Sequence, residues 1–231
     1  MPRRPREATG GLAYHVLNRA AGRARLFETE ADYKAFERVL GEAWQRTPTR
    51  IACYCIMPNH WHLVLWPATD GELSEFMRWL TVTHTQRWHA HRGTSGMGPL
   101  YQGRFKSFPI QQDDHFLRVC RYVERNALRA GLVARAEDWR WNSLGSRRSA
   151  EAPAFLLPPS AWPVTPPRNW IVLVNRPETD AELEELRQSV RRSAPFGEAT
   201  WQWHTAQTLR LESSLRPRGR PRRRKRGRES F

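Results

Sequence analysis

Residues 50–66, RIACYCIMPNHWHLVLW, constrain this chain more than any other stretch. Two apolar, β-prone runs flank Pro58-Asn59, a pair that turns the chain. The pattern predicts strands over 50–57 and 60–66 joined by that turn, which makes the sheet around them antiparallel. Side chains alternate faces along a strand with period two. His60 and His62 therefore point one way. Trp61 and Leu63 point the other, where a helix can cover them.

Two imidazoles converging from one strand hold a divalent metal when a further ligand arrives from elsewhere. The same spacing also describes ordinary strand histidines. Cys53 and Cys55 alternate in the preceding strand, so a tetrahedral zinc site built from Cys-x-Cys and His-x-His is a rival reading. A plainer one makes the two cysteines small core residues. A thiolate-rich site would be closed and would leave no coordination position for a substrate.

Around this hairpin the punctuation is regular. Residues 12–18 read as a first strand. Thr29 is a predicted cap for a helix over 30–46, with Tyr33, Phe36, Leu40 and Trp44 near helical spacing and Pro48 beyond its end. Asp70 is a predicted cap for a helix over 71–91 that aligns Leu73, Phe76, Met77 and Leu80. After a glycine-rich loop at 93–99, a strand at 104–111 contains Pro109, which marks an edge or a bulge. Asp113 then caps a helix over 113–130, and Gly131 stops it. The order β-α-β-β-α-β-α predicts an α+β fold, an antiparallel sheet with helices packed on one face. Residues 151–169 hold six prolines and read as an extended connector. Residues 170–175, WIVLVN, read as a short strand or buried segment, followed by helices from Thr179 to 192 and over 198–211. Three parts result: 1–150, a mainly helical extension over 151–212, and a basic tail over 213–231 that is disordered when alone.

The helix over 113–130 carries an apolar stripe at Phe116, Cys120, Val123 and Ala127. Tyr122 and Asn126 are one turn apart and stack along a flank of that stripe. This pair suits a nucleophile with a metal-binding amide below it. It equally suits a boundary tyrosine with a polar neighbour. Arg118, Arg121, Arg125 and Arg129 make the remaining surface basic.

The formal net charge is +15, and residues 216–228 alone carry nine basic groups without an acid. Without them 29 basic face 23 acidic residues, leaving +6, so the body is basic as well. That balance points to a polyanion, most commonly nucleic acid. The tail lacks the apolar face of a membrane-surface helix, and no apolar run is long enough to span a bilayer. Three cysteines argue against a disulfide framework and for a reducing compartment. The N-terminus lacks the apolar segment of a signal peptide. The expected location is cytoplasmic and nucleoid-associated.

The segments YHVLNRAAGRARLF (14–27), DYKAF (32–36), CYCIMPNHWHLVL (53–65), LYQGRFKS (100–107), RYVERNALRAGLV (121–133) and WRWNS (139–143) together resemble the REP-associated tyrosine transposases, relatives of the HUH-type single-strand DNA transposases. Residues 177–197 and 216–224 resemble the extended C-terminus of these proteins. The resemblance implies a ferredoxin-like or RRM-like sheet carrying the histidines, with the tyrosine on a following helix. It implies His60, His62 and Asn126 as ligands of Mg²⁺ or Mn²⁺ and Tyr122 as the nucleophile. Ala127 departs from the proline that the family often has after the asparagine, and Trp61 is bulkier than most residues between the histidines.

The implied reaction is transesterification of single-stranded or hairpin DNA of the repetitive extragenic palindrome type, through a 5′-phosphotyrosine, by a monomer or a homodimer. Gln102, Arg104, Lys106, Arg121 and Arg125 are the expected DNA contacts in the body. Trp79, Trp88 and Tyr101 are candidate stacking surfaces for bases. In the tail, Arg218-Gly219-Arg220-Pro221 resembles an AT-hook, which lies in a narrow minor groove; the alternative is a nonspecific basic arm. A non-catalytic DNA-binding or repressor protein on the same fold is the rival function. An RNA-binding module fits less well, because no RNP-type aromatic motif appears on the strands.

Overall fold

The hairpin forms where Pro58-Asn59 interrupts the apolar run. In the computed structural model, which describes residues 8–149 and 152–216, β2 (Arg50–Met57) pairs antiparallel with β3 (His60–Trp66), placing Met57 opposite His60 and Cys55 opposite His62. β1 (Ala13–Arg19) lies on the other side of β3, with Leu17 opposite His62 and Arg19 opposite His60. β4 (Lys106–Ile110) pairs with β1 at the far edge. The four-stranded sheet has the order β2-β3-β1-β4, and every neighbouring pair is antiparallel. Its two central strands, β1 and β3, present the site histidines, so both neighbours hold their backbones in place.

α1 (Glu30–Arg46) starts at Thr29 in a capping box: the Thr29 hydroxyl accepts from the Asp32 amide, and Asp32 accepts from the Thr29 amide. α2 (Glu72–Arg92) does not start as predicted. Its N-cap is Gly71 with φ +81°, a conformation that suits glycine. The Glu72 carboxylate accepts the amides of Ala68 and Thr69 at 2.8 and 3.1 Å. Asp70 turns away and accepts from the amide of Gly10 at 2.8 Å, tying down the segment that leads into β1.

α1 and α2 pack on one face of the sheet, where Phe36, Leu40, Phe76 and Leu80 meet Val16, Tyr54, Trp61 and Leu63. The opposite face is covered too, which departs from the expectation of helices on one face. α3 (Asp114–Glu124) lays Phe116, Cys120 and Val123 on Cys53, Cys55, Val64 and Phe108. Both sheet faces are apolar, so each needs a cover. The Asp113 side chain caps α3 by accepting from the amide of His115 at 2.9 Å. The helical run is interrupted at Arg125, giving α3 and a short α4 (Asn126–Arg129). Gly131, at φ +70°, ends α4 with the amide of Leu132 bonded to the carbonyl of Ala127 and its own amide to that of Leu128.

Beyond α5 (Ser143–Ser146), residues 170–175 form a helix, α6 (Trp170–Asn175), instead of a strand. A six-residue apolar run does not decide between the two by its period. The helix puts Trp170 and Val174 inward, one turn apart, and leaves Val172 outside; the Asn175 amide returns to the carbonyl of Ile171. α7 (Asp180–Arg192) follows a Thr179–Glu182 capping box, and α8 (Ala199–Thr208) and α9 (Glu212–Leu215) complete the described chain. Trp162, Leu186 and Phe196 join the core on the α3 side. Phe196 donates to Pro109 and accepts from Gln111, both at 2.9 Å, and so pairs with the exposed edge of β4. No helix among the described residues is long and apolar enough to cross a membrane. The tail positions Arg218 and Arg220 lie outside the described residues.

Candidate active site

Strand alternation puts His60 and His62 on the α3 side of the sheet, their rings 5.0 Å apart at 80°. Trp61 takes the opposite side and is fully buried under α1 and α2. The helix that covers the histidine face brings Tyr122 to them: its ring meets His62 edge-on at 5.9 Å, with 85° between the planes. His15, from β1, joins the group, nearly coplanar with His62 at 5.0 Å between ring centres and edge-on to Tyr122 at 6.2 Å. Asn126 follows one turn after Tyr122 and is buried; its side-chain amide bonds to no described residue.

The imidazoles are prepared as neutral donors. Nδ1 of His60 lies 2.6 Å from Oδ1 of Asn59, and Nδ1 of His62 lies 2.8 Å from Nε2 of His15. Each ring thus uses Nδ1 within the protein and keeps Nε2 for something else. Burial pushes His60 down to about 4, helped by Arg19 and Arg129. Burial, with His15 and His60 beside it, pushes His62 well below the usual imidazole range. Two neutral imidazoles and a free carboxamide form a donor set that a divalent cation of the Mn²⁺ or Mg²⁺ kind can use, with positions left open. Among the described residues no group of three His, Cys, Asp or Glu side chains is disposed to hold a metal.

The geometry gives the cysteine rival no support. Cys55 is opposite His62 on the ladder, but among the described residues no group of three His, Cys, Asp or Glu side chains is disposed to hold a metal. Burial raises both thiols. Both are core residues beneath α3.

Around Tyr122 the setting is cationic. The Arg129 guanidinium sits 4.1 Å from the centre of its ring and donates to its backbone carbonyl. Glu178 then binds Arg129 at 3.1 Å and Arg125 at 3.0 Å. Arg121 donates to the carbonyls of Arg176 and Pro177, and Arg118 pairs with Glu185. The basic face of this helix is therefore occupied by the C-terminal extension, and Arg121 and Arg125 lie beneath it. Tyr122 lines a small cavity together with Glu178, Glu182 and Leu186. Gln102 and Arg104, on the segment leading into β4, and Lys106, its first residue, are exposed. The aromatic candidates serve the interior: the Tyr101 hydroxyl bonds to Trp61 and His84, and the Trp88 indole donates to the carbonyl of Leu26.

The sequence model of the family described as "Transposase IS200 like" matches residues 8–126, just over half of the 231-residue chain. The chain belongs to that family. A solved structure of a REP-associated tyrosine transposase bound to a REP hairpin shares its fold, with a TM-score of 0.52 at 17% identity over 68% of this chain and 91% of the other. No curated protein matches the sequence at a significant level.

Two members of this IS200-like site escape a reading by motif. His15 stands alone in an apolar strand, and only the pairing of β1 with β3 shows that it reaches His62. Arg129 looks like one more surface cation until α4 folds it back over Tyr122. The setting of His15 between Tyr14 and the apolar pair Val16-Leu17 is the one signal that could have pointed to the first.

Proposed function

We infer that this chain is a metal-dependent, single-tyrosine DNA endonuclease and strand transferase of the REP-associated kind, acting on single-stranded hairpin DNA. The observation that carries the reading is the edge-on packing of Tyr122 against His62. It puts a hydroxyl-bearing ring against the buried imidazoles of His62 and His15, with the Arg129 guanidinium over it and Asn126 one turn further along the chain. The REP hairpin bound by the structural relative supports the same class of substrate.

In this reading Tyr122 attacks a backbone phosphorus through its phenol oxygen. The P–O3′ bond breaks, the phenol proton departs, and the released strand leaves as a 3′-hydroxyl. The 5′-phosphate stays on Tyr122, so its bond energy is conserved for rejoining. His60, His62 and Asn126 would hold the cation. When bound, Mg²⁺ or Mn²⁺ polarises and orients the scissile phosphate. Arg129 holds the tyrosine ring in place and adds positive charge where the phenolate develops. Gln102, Arg104 and Lys106 are proposed contacts to the DNA backbone. Residues 1–150 form the catalytic part, 151–212 the extension against the tyrosine helix, and 213–231, with Arg218 and Arg220, a DNA-binding arm.

A second reading, binding without cutting, draws on the 8% exposure of Tyr122 beneath the extension. One experiment separates the two. Wild-type protein and Tyr122→Phe are incubated with repeat-derived hairpin DNA and Mn²⁺, then run on a denaturing gel. A covalent adduct with wild type only is expected, with hairpin affinity unchanged. Cutting by the Phe variant would refute the nucleophile, and absence of adduct and cleavage from wild type would favour binding alone.

A further inference from the structure

His15 pairs with Val64 on β3, so it is the diagonal neighbour of His62 on the same face of the sheet. Its ring is fully buried, lies nearly coplanar with that of His62 at 19° between the planes, and is 4.9 Å from the Phe108 ring, centre to centre. Nε2 of His15 and Nδ1 of His62 are 2.8 Å apart. The remaining nitrogen of His15, Nδ1, is buried and has no hydrogen-bond partner among the described residues. Buried polar atoms are normally satisfied, so an orphan of this kind calls for a reason. An ordinary core position would be served better by an apolar side chain.

The tautomers supply the reason. Two neutral imidazoles place one hydrogen between the facing nitrogens. If His15 donates it from Nε2, the hydrogen of His62 sits on its own Nε2, and His62 has no lone pair for a cation. If His62 donates it from Nδ1, its Nε2 lone pair is free. His15 then accepts at Nε2 and carries its own hydrogen on the orphaned Nδ1. Only the second arrangement makes His62 a ligand. We propose that His15 is a positioning residue that accepts Nδ1–H of His62, fixes the plane of that ring through this in-plane hydrogen bond, and so presents Nε2 of His62 to a divalent cation. The role rests on the reading of His60 and His62 as metal ligands. Outer partners of ligating histidines act in this way, and their loss weakens metal binding by about 10- to 100-fold.

The test measures binding of Mn²⁺ alone, without DNA, by the electron paramagnetic resonance signal of the free ion. Wild type, His15→Leu, His15→Gln and His62→Ala are compared. His15→Leu keeps the volume and removes the acceptor, and should bind Mn²⁺ about 10- to 100-fold more weakly. His15→Gln offers a side-chain carbonyl oxygen to Nδ1–H and should recover most of that loss. In Mg²⁺-saturated wild type, long-range ¹H–¹⁵N correlation should place the hydrogen of His62 on Nδ1. Should His62→Ala bind Mn²⁺ as well as wild type, or wild type bind none, the metal reading falls and the role of His15 with it. If His62→Ala loses binding while His15→Leu keeps it, His15 alone is refuted. Should His15→Leu fail to fold, the glutamine variant and the His62 hydrogen decide: binding by His15→Gln as weak as that of His62→Ala, or a hydrogen on Nε2, overturns the proposal.

Discussion

Lowering the pH from 7 to 5 should destabilise this protein by an amount that its buried histidines set. Burial pushes His15 and His84 down to about 3 and His60 to about 4, while His62 is held well below its usual range. An unfolded histidine titrates near 6.5. Between about pH 6.5 and 4 the unfolded chain therefore takes up protons that the folded chain refuses, and stability falls as pH falls. Above about 6.5 both states are neutral and the effect vanishes. At pH 5, about 1.5 units below the unfolded value, each group favours unfolding by roughly 2 kcal/mol. The four groups together remove roughly 8 kcal/mol, comparable with the 5–15 kcal/mol that holds a typical domain together. Glu37, pushed up by burial, gains its proton in the folded state first and offsets part of this loss. The assay is urea denaturation without metal at pH 7, 6 and 5, followed by tryptophan fluorescence. His84→Gln supplies the control. It removes one such histidine on the face away from the site and should flatten the dependence by about one proton, or about 1.4 kcal/mol per pH unit. Stability equal at pH 7 and 5 to within about 1 kcal/mol would refute the argument.

Two further perturbations follow from the extension and the tail. Glu178 accepts from two largely buried guanidiniums, with side-chain exposures of 8% against 11% for Arg125 and 17% for Arg129. Glu178→Ala leaves both cations poorly compensated and should destabilise by about 2–4 kcal/mol. That corresponds to a fall in Tm of roughly 5–15 °C, and a fall below about 2 °C in calorimetry would refute the clasp. Arg192 donates to the carbonyls of Ser213 and Ser214, so the clean truncation begins at residue 217. Deleting 217–231 removes eight of the 38 basic residues and should flatten the salt dependence of hairpin binding. The slope should change by up to about 6 to 7 on a log–log plot if each cation meets a phosphate, and an unchanged slope would rule out the arm.

The parts of the fold that could be read in advance were those with a local cause. Period two on HWHLVLW, a turn at Pro58-Asn59, capping residues at Thr29, Asp113 and Thr179, and a glycine stop at Gly131 each act within a few residues, and each stands in the structure. Asp70 shows the limit of such signals: a good cap by type, it was drawn away by the amide of Gly10, sixty residues distant in sequence. Residues 170–175 misled for a related reason. Their helix is decided by which side chains reach the core, and nothing local records that. The arginines of α3 and α4 formed a believable DNA surface only while the extension was out of view. His15 depended on strand order, which no single segment encodes.

Trp61 shows how the two faces of the sheet act together on the site. A pair of histidines on a strand is only as well placed as the strand, and Trp61 is the residue between the two. It is wholly buried, and its indole N–H meets the Tyr101 hydroxyl at 3.0 Å. That hydroxyl in turn lies 2.6 Å from Nδ1 of His84, on α2. The strand is thus pinned to a helix through a directional polar chain set in an apolar core, where such bonds are electrostatically stronger than in water. Packing alone would hold Trp61 against the core, but it would tolerate sliding. The hydrogen bond fixes its position along the strand, and alternation passes that position to His60 and His62 on the other face. On that face His15 does for the ring of His62 what Tyr101 does for the backbone beneath it. The bulky tryptophan between the histidines is therefore the anchor from which the positions of both imidazoles are set.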